Sequence, residues 1–124
     1  MGSLIRLVAL LSLLSFNSAY ALEFRFAHDP WKGEDKTDHL IGGSVTTLVS
    51  SMSVRIFNDG RMNSKQIRNV FIINAIAWTL WEVKDAVVPY EKYGSIGGDG
   101  FSYKDLLWSL AGIAIITGVN ILAK

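Results

Sequence analysis

LLWSLAGIAIITGVNILA, residues 106–123, is eighteen residues long and carries no charge. As an α-helix it rises roughly 27 Å, close to the hydrocarbon thickness of a bilayer at about 30 Å. Ser102 precedes it as an N-cap candidate, with Asp105 three residues on. That is capping-box spacing with Asp in place of Glu. A helix is therefore expected over about 103–123, with a membrane span as its first reading.

Upstream, PYEKYGSIGGDGF (residues 89–101) reads as a Gly-rich loop. It lacks the Gly-Lys-Ser/Thr ending of a phosphate loop, and no strand precedes it. A second helix is expected over about 64–88, with Ser64 as its cap and Pro89 as its stop; Val70 to Trp81 is a twelve-residue run without charge. Asn58 to Asn63 form a turn around Asp59-Gly60. The first helix is expected over about 38–57, capped by Asp35 or Thr37. Its charge-free middle, Leu40 to Val54, is rich in Gly, Ser and Thr. Residues 22–38, broken by Pro30 and Gly33, read as a polar surface segment.

These readings make the chain all-α: an antiparallel three-helix bundle, membrane-embedded or membrane-apposed, formed by a single domain over residues 22–124. Small residues recur every four positions at Gly43, Thr47 and Ser51, and again at Ala114 and Gly118. Such stripes let helices approach closely in lipid. A water-soluble bundle with its Ser and Thr facing solvent is the competing reading.

Residues 1–21 read as a secretory signal peptide. Arg6 supplies the basic start, Leu7 to Phe16 the apolar stretch, and Ala19-Tyr20-Ala21 the cleavage site. An uncleaved anchor helix is the alternative. With 124 residues, half of them hydrophobic, and a mean hydropathy of +0.30, the chain is apolar for one small domain. The net charge of +1 and scattered basic residues exclude a nucleic-acid partner. The absence of cysteine excludes disulfides, thiolate metal sites and a lipidated N-terminal Cys.

Charge placement predicts orientation. Arg55, Arg61, Lys65 and Arg68 against Asp59 give the first connection a net +3. Residues 22–38 and residues 82–105 each hold five acids and three bases, a net −2. The positive-inside rule then puts the connection in the cytoplasm and both acidic segments outside. The expected location is the bacterial cell envelope, with the inner membrane preferred and a periplasmic or outer-membrane site as alternatives.

An up–down–up path brings the start of the first helix, the end of the second and the start of the third to one end. Asp35, Lys36, Asp38, His39, Glu82, Lys84, Asp85, Lys104 and Asp105 gather there. His39, Glu82, Asp85 and Asp105 are the candidate catalytic or metal-ligating residues. One imidazole and three carboxylates suit a divalent cation, or an acid–base pair for hydrolysis. A structural ion network explains the same residues without function. His28 reads as solvated. Trp31, Trp81, Tyr90, Tyr93, Tyr103 and Trp108 collect at the same end and read as an interfacial aromatic belt.

Three blocks carry a family resemblance. Asp29-Pro-Trp-Lys-Gly-Glu-Asp-Lys-Thr-Asp-His39 resembles the D-x-W-x-G-x-D-K-x-x-H opening of the YfiM-like periplasmic (lipo)proteins. Trp81-Glu-Val-Lys-Asp85 is similar to their K-E-x-x-D element, with Trp81 where their Lys stands. Gly100-Phe-Ser-Tyr-Lys-Asp-Leu106, followed by Ala111-Gly112, resembles their G-[WF]-S-x-K-D-L…A-G element. A looser similarity extends to VanZ-like membrane proteins. The resemblance covers about residues 29–118 and implies an envelope location and a helical architecture, not an activity. The lipobox Cys of the YfiM-like lipoproteins is missing here.

The expected function is that of a small exported membrane protein, a structural or accessory component of the envelope. Its expected partners are membrane lipid, other envelope proteins or a second copy. The alternative is a membrane-bound hydrolase or cation-binding protein using the His39/Glu82/Asp85/Asp105 cluster; no cofactor is specified by the sequence.

Overall fold

The computed structural model describes residues 23–124, and the proposed signal peptide lies outside the described residues. The described chain is all-α. It has three long helices, α1 (Glu34–Ile56), α2 (Ser64–Val87) and α4 (Tyr103–Leu122), and one short turn, α3 (Tyr90–Tyr93).

The helix ends show which caps operate. Ser102 accepts from the Asp105 amide as expected, at 3.0 Å. Asn63, not Ser64, caps α2: its side chain accepts from the Gln66 amide, and Gln66 returns a bond to the Asn63 amide. This reciprocal box satisfies two amides that one serine would not. Helix α1 starts four residues before the expected Asp38, on Gly33, with no side-chain cap bond. Asp35 and Thr37 therefore lie inside its first turn. Within the expected Gly-rich loop, α3 is followed by a 3-10 turn, Gly94–Ile96.

Cross-helix bonds establish the path. His39 meets Ser109, and Asn120 donates to Ser51, so α1 and α4 run in the same direction. Asn74 donates to Ser50 and the Trp78 indole to Thr46, so α2 runs opposite to α1. Helices α1 and α4 approach closely through glycine. A Cβ on Gly43 would strike the Ser109 backbone; one on Gly112 would strike the Leu40 carbonyl and come 2.8 Å from the Ser44 nitrogen. The expected Ala114/Gly118 stripe is not this contact: Ala114 is exposed, and nothing lies within 4 Å of a Cβ built on Gly118. Residue 114 is two positions past Gly112, hence turned roughly 200° around the helix.

The burial pattern is inverted relative to a water-soluble bundle. Thr47, Ser51, Asn74, Ser109 and Asn120 are buried between the helices. Ile41, Val45, Leu48, Val49 and Met52 on α1 are exposed, as are Ile73, Ile76 and Leu80 on α2 and Ile115, Val119 and Ile121 on α4. The buried Thr47 and Ser51 hydroxyls each bond back to the carbonyl one turn earlier, Thr47 to Gly43 and Ser51 to Thr47, both at 2.7 Å. The only buried apolar cluster among the described residues, Met62, Ile67 and Val70, lies at the α1–α2 turn. By length and composition, α4 can cross a membrane.

Residues 23–29, within the stretch read as a polar surface segment, do lie at the surface, where they are tied down. They form a strap along the end of the bundle. Phe26 bridges to Phe101, with Ala27 N–H donating to the Phe101 carbonyl at 2.9 Å and Phe101 N–H to the Arg25 carbonyl at 2.7 Å. Phe24, Phe26 and Phe101 pack as an aromatic trio over this pairing. Gly100 permits it: its φ is 125°, and a Cβ there would come 2.7 Å from the Phe26 backbone.

Candidate cation site at the mouth of the bundle

The inward stripe of each helix ends in charge. On α1, Lys36 is seven residues before Gly43, so it shares the face of Gly43, Thr47 and Ser51. On α2, Glu82 continues the buried face of Ile67, Val70 and Asn74. On α4, Asp105 lies one turn before buried Ser109. Lys36 and Glu82 are 2% and 1% exposed, more buried than their residue types ordinarily are.

Two adjacent clusters result, and Asp105 belongs to both. In the first, Asp29, Asp35 and Asp105 bring a carboxylate oxygen each within 4.8 Å of one another. That cluster already holds a cation. The Lys36 ammonium makes ion pairs with Asp29, Asp105 and, at 2.7 Å, Asp35. Burial pulls the Lys36 pKa down, but hydrogen bonds to Asp105, Asp29 and Asp35 outweigh it, so the pKa rises and the side chain stays charged. Burial pushes Asp29 up, yet bonds from Lys36 and Ser102 hold it below the ordinary carboxylate value. The Lys36 hydrogen bond lowers Asp35 despite its partial burial.

The second cluster joins His39, Glu82 and Asp105, whose potential ligand atoms also lie within 4.8 Å of one another. His39 Nδ1 is 3.8 Å from Glu82 Oε1, and Nε2 is 3.8 Å from Asp105 Oδ2. The ring is held by Ser109 Oγ, 3.0 Å from Nδ1, and by the edge of Trp78. Glu82 Oε2 accepts the Ser102 amide at 3.0 Å, but Oε1 is buried and has no hydrogen-bond partner. Burial raises the Glu82 pKa to about 7; the Ser102 amide opposes the shift, and the nearby charges of Asp105, Asp85 and Asp29 reinforce it.

Sequence reasoning placed His39, Glu82 and Asp105 together, and they meet. Asp85 does not join them. It stands i, i+3 from Glu82, beside the Lys84 ammonium, and lines a cleft of about 490 Å³ together with Asp29, Asp35, His39, Asp99 and Asp105. Asp38 is exposed and stays outside. His28 is exposed, as expected.

Asp29, Ser102 and Ser109 were not singled out as site residues. Ser102 Oγ donates to Asp29 Oδ2 at 2.8 Å while accepting from the Asp105 amide, so it is both cap and site residue. The signals were the seven-residue spacing of Asp29 from Lys36 and of Ser102 from Ser109; both need the strap and the α4 register to acquire meaning.

The raised Glu82 pKa has a consequence for stability. A group that holds its proton more tightly when folded favours the fold at pH below its unfolded value near 4.5. The advantage is lost as pH rises to about 7. The protein should therefore lose on the order of 3 kcal/mol between those limits. Glu82→Gln should flatten this limb in thermal unfolding scans across pH; an unchanged limb would refute the assignment. The lowered carboxyls, Asp29 and Asp35, act oppositely, withdrawing stability as pH falls below the ordinary Asp value of 3.8.

Comparison with protein-family models, curated proteins and solved structures returns no match for this chain.

Proposed function

We propose that this chain is a small bacterial cell-envelope membrane protein. It is a non-enzymatic component that holds a divalent transition-metal cation, of the Zn²⁺ or Mn²⁺ type, at the outward mouth of its bundle. The observation that carries the cation reading is the unpartnered oxygen of buried Glu82, facing His39 3.8 Å away. A buried carboxylate oxygen without a donor is costly. An ion removes the cost, and one imidazole with two carboxylates is the donor set of Zn²⁺ and related metals. Lys36 occupies the neighbouring carboxylates, so the ion belongs on the His39 side of Asp105.

The inverted burial pattern supports embedding in a bilayer. Its exposed apolar stripes need lipid, and its buried hydroxyls and glycines are the contacts that helices use there. Exposed Trp31, Trp81, Tyr90, Tyr93 and Tyr103 surround the mouth, where an interfacial belt belongs. The basic α1–α2 turn then faces the cytoplasm and the acidic cleft faces outward. Of the three long helices, α4 is long and apolar enough for a full span; the charge-free stretches of α1 and α2 are shorter, and Glu82 and Lys36 lie beyond them. The resemblance to YfiM-like proteins points to the cell envelope.

The test is calorimetric titration with Zn²⁺, Mn²⁺ and Ca²⁺ of protein purified from carbonate-washed membranes. Retention through the wash and one-site binding of a transition metal are expected. His39→Ala and Glu82→Gln should each weaken it at least about tenfold, as expected for loss of a ligand. Release by carbonate would end the membrane reading. Integral protein that ignores all three ions would end the cation reading.

A further inference from the structure

The opposite end of the bundle carries a second site. Between α2 and α4 lies a groove of about 340 Å³, near the lower end of the roughly 300–1,000 Å³ usual for small-ligand pockets. Ile67, Phe71 and Ile121 form its apolar walls, and Ser64, Arg68 and Lys124 line it with polar groups. Lys124, just past the end of α4, donates to Ser64 at the start of α2, so charge straddles the gap between the two helices. Arg61 and Lys65 extend the basic surface at this end. On α4, the groove wall of Thr117 and Ile121 adjoins Gly118, where nothing fills the space of a side chain.

We propose that this groove holds one acyl chain of an anionic phospholipid, with the lipid phosphate at Arg68 and Lys124. The proposal rests on the membrane reading above. On an apolar surface within a bilayer, lipid tails are the surrounding medium, so they are the natural filling of an open apolar groove. The sign of the headgroup follows from charge complementarity: the groove opens beside cationic side chains, on the side that the positive-inside rule places at the cytoplasmic leaflet. Anionic lipids give that leaflet its negative surface potential. The cation site, over α2's other end, takes no part.

The experiment reconstitutes the full chain into nanodiscs of phosphatidylglycerol and phosphatidylcholine in equal parts, after carbonate washing has established integration. Lipid retained after transfer to mild detergent is then measured by native mass spectrometry. Phosphatidylglycerol should be retained in excess. Arg68→Gln with Lys124→Gln should cut that preference about thirty-fold, the effect of two basic contacts at a membrane surface. Ile121→Trp, which fills the groove and keeps the charge, should release the lipid as well. Equal retention of both lipids by the parent protein overturns the proposal, as does undiminished preference in the double variant. Displacement by millimolar inorganic phosphate also overturns it, because the site would then read a free anion. Release of the chain by carbonate is a separate failure, that of the membrane reading itself.

Discussion

Lys36→Met should cost about 3–5 kcal/mol, a large share of the 5–15 kcal/mol that holds a small domain together. The substitution keeps the aliphatic stem and removes the ammonium from among Asp29, Asp35 and Asp105. Three carboxylates would then face one another at a nearly closed position, with Asp105 and Asp29 only 15% and 19% exposed. They must take up protons or separate. Repulsion among the uncompensated carboxylates favours their protonated forms, so the variant should be most defective near neutral pH and recover on acidification. Thermal unfolding of the helical signal, in parent and variant at matched pH, measures this. Adding Asp105→Asn to Lys36→Met should restore part of the loss by removing one uncompensated charge. If Lys36→Met melts with the parent protein, the ammonium is not what balances the cluster.

Gly112→Val should destabilise the fold by roughly 3 kcal/mol, the upper end of the usual range for overpacking. The Leu40 carbonyl and the Ser44 backbone occupy the space the side chain would need, and backbone cannot rotate away as a flexible side chain can. The helices must separate, which also pulls Ser109 from His39 and Asn120 from Ser51. The same change at Gly118, where the space is open, should stay within about 0.5 kcal/mol. Equal losses at the two glycines would show that helix propensity, not contact, governs the response. Because Gly112 lies one turn from Ser109, the first variant should also disturb the mouth and the second should not.

Much of the architecture was readable before any coordinates. The charge-free run 106–123 announced α4, and Pro89 with Asp59-Gly60 marked the breaks that force an up–down–up path. From that path the meeting of His39, Glu82 and Asp105 followed, since each lies within two turns of a helix end at the same pole. Asp85, three residues past Glu82 and so roughly 60° away around the helix, lines the cleft with His39 and Asp105 but lies outside the tight His39/Glu82/Asp105 group. The Ala114/Gly118 stripe was misread: small-residue spacing marks a face that permits close approach, and the partner decides which such face is used.

The order of polar and apolar residues along the chain determined, by itself, that there would be three long helices, where they would break, and which pole would be acidic. These properties are local, set by charge, proline and glycine within a few residues. The tertiary structure alone decided that Asp29 reaches the site on a strap tied to Phe101, that Lys36 fills one carboxylate cluster, and that Glu82 is left facing His39 with an unpaired oxygen. Each of these depends on groups far apart in sequence being brought within a few ångströms. Which polar group gains a partner and which goes without is a property of that packing, and no single stretch of the chain contains it.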